Sequence, residues 1–366
     1  MQPRHIILIL LLAFSAGLSQ AQLTRLSGAI YDMETDLPIS DVTVYVNGTT
    51  KGCITSSAGL YELDGVFLPC ELILSHVSYT LQRLSISDTS NLADVRFGMS
   101  KKIVPLQEAT VMPDSARRNY LARFKVWFLG ADYEKTGAMI INDPVLYFTP
   151  LEGDQFEAQA NEPLEVEIPL TGYRIKIDLV HFRLTFRKEL GRYHCSILGY
   201  FYYEEISAES RRQQRALARN RAKSYYNSRL HFCRSLYENR LKENGYKMER
   251  ACLPDEKSDP VKVNPADYKR WFSISGSGKA VLYFTDFNCR LFKIKYYHSG
   301  GSKPADLNYL YTHPSNLSTS GLLFATDTIR IYSTGRVAEN SMLFSGDIGD
   351  KGVAWSLPED YIPSMQ

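Results

Sequence analysis

Residues 26–63 read LSGAIYDMETDLPISDVTVYVNGTTKGCITSSAGLYEL, and this stretch decides the fold of the N-terminal region. Short runs of alternating apolar and polar residues, such as VTVYV at 42–46 and LYEL at 60–63, are separated by turn residues. Alternation with a period of two is typical of strands that bury one face. Asn47-Gly48 tolerates the positive φ values of a tight hairpin, so the stretch predicts closely spaced antiparallel strands.

The same pattern continues beyond residue 63. ELILS at 71–75, LSIS at 84–87 and VRFGM at 95–99 are further short alternating runs. About seven strands with this spacing are typical of a two-layer sandwich. The sequence therefore predicts a seven-stranded β-sandwich over residues 22–112.

The glycine, proline and apolar positions of this region resemble the carboxypeptidase-like regulatory domain. The matching residues are Gly28, Ile30, Asp32, Pro38, Ile39, Val42, Val44, Gly48, Thr49, Gly52, Thr55, Gly59, Tyr61 and Leu63, followed by Ser75 to Tyr79 and by Leu106, Glu108 and Val111. The resemblance implies a prealbumin-like, or transthyretin-like, sandwich. It implies no peptidase activity, because this module occurs beside peptidase domains, in front of outer-membrane transporters and in standalone envelope proteins.

The rest of the chain is similar to those standalone bacterial envelope proteins. The shared positions are the FLG turn at Gly130, then Asn142 and Pro144, then Gly172, Tyr173 and Ile175, then Asn220, Arg221, Tyr225, Ser228, His231 and Phe232, and finally Leu357, Pro358, Asp360, Tyr361 and Pro363. This resemblance implies a location in the envelope and no defined activity.

Residues 1–21 have the pattern of a secretory signal peptide. Arg4 and His5 precede an apolar run from Ile6 to Phe14, and the small residue Ala21 precedes the expected cleavage site. The apolar run is shorter than the ~20 residues that cross a bilayer. We expect an exported protein in the periplasm or at the periphery of the outer membrane.

Six cysteines follow residue 21, and an oxidising compartment permits disulfides. The absence of any CxxC pair argues against a zinc knuckle. Two interpretations stay open: all six are ordinary thiols, or at least one disulfide forms. Cys53 and Cys70 are the candidate pair because both fall within the predicted sandwich.

The sequence predicts a mainly β protein with one long helix, in which the sandwich is followed by an α+β or mainly-β region. Residues 113–255 are expected to be α+β, with a long or bulged strand at 171–186 and a basic helix at 206–244 that ends near Gly245. Residues 256–366 return to strand alternation and are expected to pack on the preceding region.

No motif for catalysis, metal binding or cofactor binding is evident. The histidines form neither HxxE nor HExxH, and no GxSxG turn is present. The SGSGK run at 275–279 lacks the first glycine and the final hydroxyl residue of a phosphate-binding loop, which favours a hairpin turn. We therefore expect no catalytic residues, no metal and no cofactor. His181, His194 and His231 are either structural or converge in space to form a metal site. A hydrolase whose site is assembled from scattered residues is the alternative function.

The charge is unevenly distributed. Between Glu205 and Arg250 there are twelve Lys/Arg and five Asp/Glu, a net charge of +7, whereas the remainder after residue 21 has a net charge of −6. The predicted docking cluster is Arg211, Arg212, Arg215, Arg219 and Arg221. The alternatives are a solvated helix face, a dock for an acidic partner or for anionic lipid headgroups, and a nucleic-acid site, which the export signal disfavours.

These observations favour a non-catalytic envelope protein. It would act as a binding or scaffold module for a protein or glycan partner, which includes an outer-membrane complex. We expect no nucleic acid to bind. Peripheral contact with a membrane is a further option.

Overall fold

The computed structural model describes residues 23–87, 95–102, 112–187, 192–250, 272–275, 279–283, 291–297, 317–326, 328–337 and 341–363. The predicted signal segment at 1–21, Cys252, Cys289, and the edge-strand residues Leu106, Glu108 and Val111 lie outside these ranges. Within them the chain is mainly β, with a few helices, which confirms the predicted fold class in outline.

The N-terminal region is a sandwich of two sheets. Its strands are β1 (Leu23–Asp32), β2 (Thr43–Val46), β3 (Gly52–Ile54), β4 (Leu60–Phe67), β5 (Cys70–Ser75), β6 (Gln82–Ile86) and β7 (Val95–Met99). One sheet has the order β4, β1, β7 and the other has the order β3, β2, β5, β6. The prediction of seven strands in two layers is confirmed.

Alternating apolar residues on both sheets form the core of the sandwich. Leu26 and Ile30 on β1 face Val44 on β2 and Leu72 on β5, all nearly inaccessible to solvent. Gly28 has a steric role at the centre of the first sheet, because a Cβ there would lie 2.0 Å from the carbonyl oxygen of Val95. The glycine permits the close approach of β1 and β7.

Cys53 and Cys70 are free thiols and do not form the disulfide that the sequence suggested. Cys53 lies opposite Val44, and Val44 lies opposite Leu74, so β2 separates the two cysteine strands by about 10 Å. Cys70 is a further four residues along β5, or about 13 Å, whereas disulfide-bonded Cα atoms lie within about 7 Å. Burial raises the pKa of the Cys70 thiol to about 12.

The second region begins with a helix that the sequence pattern did not predict. It comprises α1 (Asp114–Leu129), the short 3-10 turns Tyr133–Thr136 and Asp143–Val145, and strands β8 (Met139–Ile140), β9 (Leu146–Pro150), β10 (Phe156–Ala160), β11 (Leu164–Ile168), β12 (Tyr173–Arg187) and β13 (Arg192–Glu205). The strands form one sheet, ordered β8, β11, β12, β10, β9, with β13 along the other edge of β12.

Strand β12 confirms the predicted long or bulged strand. Its register against β13 shifts between Leu179 and His181. The shift preserves burial on one face, because Ile177 and Leu179 before it and Phe182 and Leu184 after it all point into the core with Phe124 and Phe128 of α1.

The predicted helix at 206–244 is wrong in extent, since the structure has two shorter helices, α2 (Arg211–Tyr225) and α3 (Arg229–Tyr237). The first helix ends at Tyr226, whose backbone is extended, and Asn227 follows with a φ of 56°. The hydroxyl oxygen of Ser228 then accepts the His231 N–H at 3.1 Å, which caps the second helix. Gly245 lies in a turn after α3, not at the helix end.

A third core lies beyond the helices. Its elements are β14 (Tyr246–Arg250), β15 (Phe272–Ser275), β16 (Lys279–Tyr283), β17 (Leu291–Tyr297), β18 (Leu317–Phe324), β19 (Thr328–Tyr332), β20 (Met342–Ser345) and α4 (Gly346–Gly349). The 3-10 turn Val353–Trp355 that follows α4 packs on the core of the second region. One sheet has the order β14, β17, β18, β20 and another has the order β15, β16, β19. Helix α3 contributes Phe232 and Leu236 to this core, whereas Tyr225 of α2 belongs to the core of the second region. The two helices therefore link the core of the second region to this third core.

None of the helices in the described part of the chain is both long enough and apolar enough to span a membrane.

Candidate functional site

The sandwich is fixed to the second region through Asp178 on β12. The Tyr45 hydroxyl donates to Asp178 Oδ2 at 2.5 Å, and the Ser75 hydroxyl donates to Asp178 Oδ1 at 2.7 Å. The Tyr45 ring stacks on Tyr202 with centroids 5.4 Å apart. Burial raises the pKa of the Asp178 carboxyl despite these two hydrogen bonds.

The Asn47-Gly48-Thr49 turn adds to the free edge of β13. Gly48 N–H donates to the Phe201 carbonyl at 2.7 Å, and Tyr203 N–H donates to the Thr49 carbonyl at 3.0 Å. The Asn47 side-chain oxygen accepts the Phe201 N–H at 2.9 Å. The turn therefore covers an exposed strand edge and has a structural role.

The C-terminal segment completes this junction. Glu359 N–H donates to the Gly48 carbonyl at 2.7 Å, and the Thr50 hydroxyl donates to Asp360 at 2.5 Å. The guanidinium of Arg234 on α3 donates to the carbonyls of Glu359 and Tyr361, both at 2.8 Å. Sandwich, helices and C-terminal segment are thus tied together at one place.

A cavity of about 20 Å³ at this junction is lined by Cys70, Thr334, Arg336, Glu359 and Asp360 among others. A water molecule needs roughly 10–15 Å³ of such space, so the cavity has room for one water and not for a substrate. Burial raises the pKa of Glu359 to about 8, although Arg336 and two further arginines oppose the shift.

A second cavity, of about 260 Å³, is an open groove between the sandwich and the second region. It collects Asp41, Ser75 and His76, the residue types of a hydrolase triad. Their described hydrogen bonds run elsewhere, since the Ser75 hydroxyl donates to Asp178 and His76 Nδ1 accepts the Ser78 N–H at 3.1 Å. The described geometry gives Ser75 no imidazole acceptor.

The histidines named above do not form a metal cluster. Among the described residues no group of three or more histidine, cysteine, aspartate or glutamate side chains is placed to hold a metal ion. His231 is buried, its Nδ1 lies 2.9 Å from the Tyr246 hydroxyl, and burial lowers its pKa to about 3. It is a neutral, structural histidine.

The SGSGK run lies between two paired strands. Ser275 at the end of β15 is opposite Lys279 at the start of β16, in an antiparallel pair. This pairing is that of a hairpin, although residues 276–278 themselves lie outside the described part.

Helix α2 begins at a well-formed cap. The hydroxyl oxygen of Ser210 accepts the Gln213 N–H at 3.2 Å, and the Gln213 side chain accepts the Glu209 N–H at 2.8 Å. This arrangement is close to the capping box. It explains why the basic segment forms a helix although its first turn contains no acidic residue.

The N-terminal half of α2 is exposed to solvent. Arg211, Arg212, Arg215 and Arg219 are all exposed, and no ion pair to any of them occurs among the described residues. These four residues are named the arginine face. Four guanidinium groups without an acidic partner in the described part of the chain are suited to binding carboxylate or phosphate groups.

Arg221, the fifth member of the predicted cluster, points inward. Its side chain is 14% exposed, pairs with Glu205 at 3.2 Å and donates to the Thr171 carbonyl at 2.7 Å. Its guanidinium carbon lies 4.1 Å from the centre of the Tyr173 ring. Arg221 holds α2 on the turn between β11 and β12 and has no free face for a partner.

Lys223 extends the basic surface and was not singled out in the sequence. It is exposed and lies four residues after Arg219. The i, i+4 spacing from Arg211 through Arg215 and Arg219 to Lys223 was the signal that pointed to it.

Comparisons with known proteins identify one part of the chain. The model of the CarboxypepD_reg-like domain matches residues 26–111. No curated protein matches the chain. One solved structure to which it is similar, a 9R-lipoxygenase from Cyanothece PCC8801, shares 10% sequence identity over 64% of this chain and 52% of that chain, with a TM-score of 0.18. This chain thus matches about half the length of the lipoxygenase, and so low a TM-score supports no conclusion about fold or activity. The described part of residues 26–111 forms the seven-stranded sandwich, and this segment is therefore a carboxypeptidase regulatory-like domain.

Proposed function

We propose that this protein is a non-catalytic binding or scaffold protein of the bacterial envelope that holds an acidic partner on its arginine face. The observation that carries the proposal is the set of four exposed arginines without described acidic partners on a helix that is itself firmly held. A carboxypeptidase regulatory-like domain suggests a binding or regulatory module, which agrees with this role.

The rigid junction supports the same role. The sandwich, the helix pair and the C-terminal segment are joined by hydrogen bonds at Gly48, Arg234 and Asp360. A helix held on such a body presents its charges in a fixed arrangement, which lowers the entropy lost on binding.

A photocrosslinking amino acid at the exposed Gln214 tests the proposal, because Gln214 lies beside the arginine face. We expect capture of a partner from envelope extract, and loss of that capture in R211E/R215E/R219E. The matched control R118E/R240E/K242E reverses three other exposed basic residues and should retain capture. Equal capture by both triple variants would refute the proposed docking role.

A further inference from the structure

We propose that the partner of the arginine face is an anionic membrane surface, whose lipid phosphates the basic side chains contact without insertion. This inference rests on the proposed docking role and specifies its partner. The surface consists of the arginine face and Lys223. With about 100° between successive helix residues, these five side chains fall within an arc of about 120°. From Arg211 to Lys223 they extend about 18 Å along the helix axis.

The shape of this surface is convex. Residues 211–215 are exposed without interruption, so the beginning of α2 projects from the body on all sides. Later in the helix Ala222 and Tyr225 are buried. A projecting helix end can meet a plane of headgroups, whereas a small ligand would need a concave site.

The surface also lacks an apolar anchor. The exposed residues from Glu209 to Arg215, together with Arg219 and Lys223, are glutamate, serine, arginine, glutamine and lysine only. Stable protein interfaces depend on a few buried aromatic or apolar side chains at their centre. Attraction to an anionic bilayer needs only the charges, and each basic residue adds to it. The composition therefore favours a lipid surface over a folded protein partner.

The balance of charge near the surface points the same way. Glu209 is the nearest acidic residue in the sequence before the helix, and no ion pair joins it to an arginine among the described residues. Glu205 is already paired with Arg221 at 3.2 Å. The face retains its positive charge and is complementary to a layer of lipid phosphates.

The test is sedimentation of the full-length protein with vesicles. One set of vesicles contains phosphatidylcholine alone, and the other contains equal parts of phosphatidylcholine and phosphatidylglycerol. We expect binding to the anionic set only, and weaker binding at high salt because the interaction is screened. Removing one basic contact lowers partitioning about fivefold, so R211E/R215E/R219E should bind at least about 100-fold more weakly. The control R118E/R240E/K242E should bind nearly as well as the unmodified protein, and circular dichroism checks that both variants are folded.

The outcomes separate this inference from the proposed function. If the unmodified protein does not sediment with anionic vesicles at low salt, or if the two triple variants lose binding equally, the membrane inference is wrong. Arginine-dependent crosslinking from an extract cleared of membranes, without vesicle binding, would identify an acidic protein partner and leave the docking role intact. Failure of both assays would overturn both proposals.

Discussion

Asp178 is a partly buried carboxyl that accepts hydrogen bonds from Tyr45 and Ser75 and so joins two regions of the chain. Asp178→Ala leaves both hydroxyl groups without their acceptor, so we expect the free energy of unfolding to fall by about 1–3 kcal/mol. Asp178→Asn keeps an amide oxygen that can still accept a hydrogen bond. Its loss in the free energy of unfolding should therefore be less than half that of Asp178→Ala. Urea unfolding at neutral pH measures both changes. Equal losses for the two variants would show that the hydrogen bonds at Asp178 contribute little.

Arg221 and Arg215 have the same side chain on the same helix in opposite environments. Arg221 is 14% exposed and held by Glu205 and the Thr171 carbonyl, whereas Arg215 is exposed. We expect Arg221→Ala to lower the free energy of unfolding by about 1–3 kcal/mol. Arg215→Ala should change it by less than about 0.5 kcal/mol. Thermal unfolding distinguishes the two, and a larger loss for Arg215→Ala would contradict the assigned roles.

At the scale of the element, α2 carries positive charge at the end where the helix dipole is also positive. Arg211 and Arg212 occupy its first turn, which contains no acidic residue. Glutamate there interacts favourably with the dipole, so R211E/R212E should raise the free energy of unfolding by about 0.5–2 kcal/mol. Urea unfolding should show the gain in stability, and vesicle sedimentation should show a loss of binding. This combination is expected if Arg211 and Arg212 are present for binding and not for stability. A destabilised double variant would contradict the unfavourable interaction of Arg211 and Arg212 with the helix dipole.

The sandwich could be predicted from the sequence because its signal is local. Runs such as VTVYV carry their alternation within a few residues, and turns mark their ends. The break between α2 and α3 was hidden because Tyr226 and Leu230 continue the apolar spacing across Asn227. Helix α1 was missed because its fully buried side chains, Phe124, Phe128 and Leu129, lie only in its second half.

The docking cluster was predictable as a charge pattern but not as a surface. Five arginines are visible in the sequence, yet the inward turn of Arg221 depends on Glu205 and on the turn at 169–172. The contact between Tyr45 and Asp178 joins residues 133 positions apart and leaves no local pattern. Such contacts are decided by packing between regions.

For the whole molecule, Glu359 makes the junction sensitive to pH. Its pKa is raised by burial to about 8 in the folded state, from an ordinary value of 4.5. Between these values the folded state binds more protons than the unfolded state, so the free energy of unfolding falls as pH rises. We expect Glu359→Gln to flatten that decline between pH 5 and pH 8, measured by urea unfolding at a series of pH values. A decline of unchanged slope in the variant would exclude Glu359 as its source.

Gly48 is the position at which the sandwich, strand β13 and the C-terminal segment meet. It has a φ of 79°, and a Cβ there would lie 3.0 Å from the Glu359 carboxyl group. Gly153 is a matched control, with a φ of 67° and no atom near its added Cβ. Both Gly→Ala variants carry the backbone strain of an L-residue, about 1–2 kcal/mol, but only Gly48→Ala also disturbs the junction. We expect Gly48→Ala to cost at least about 1 kcal/mol more than Gly153→Ala in urea unfolding. It should also separate the unfolding of the sandwich from that of the remaining chain. Equal losses in a single transition for both variants would show that Gly48 is not needed for the coupling between them.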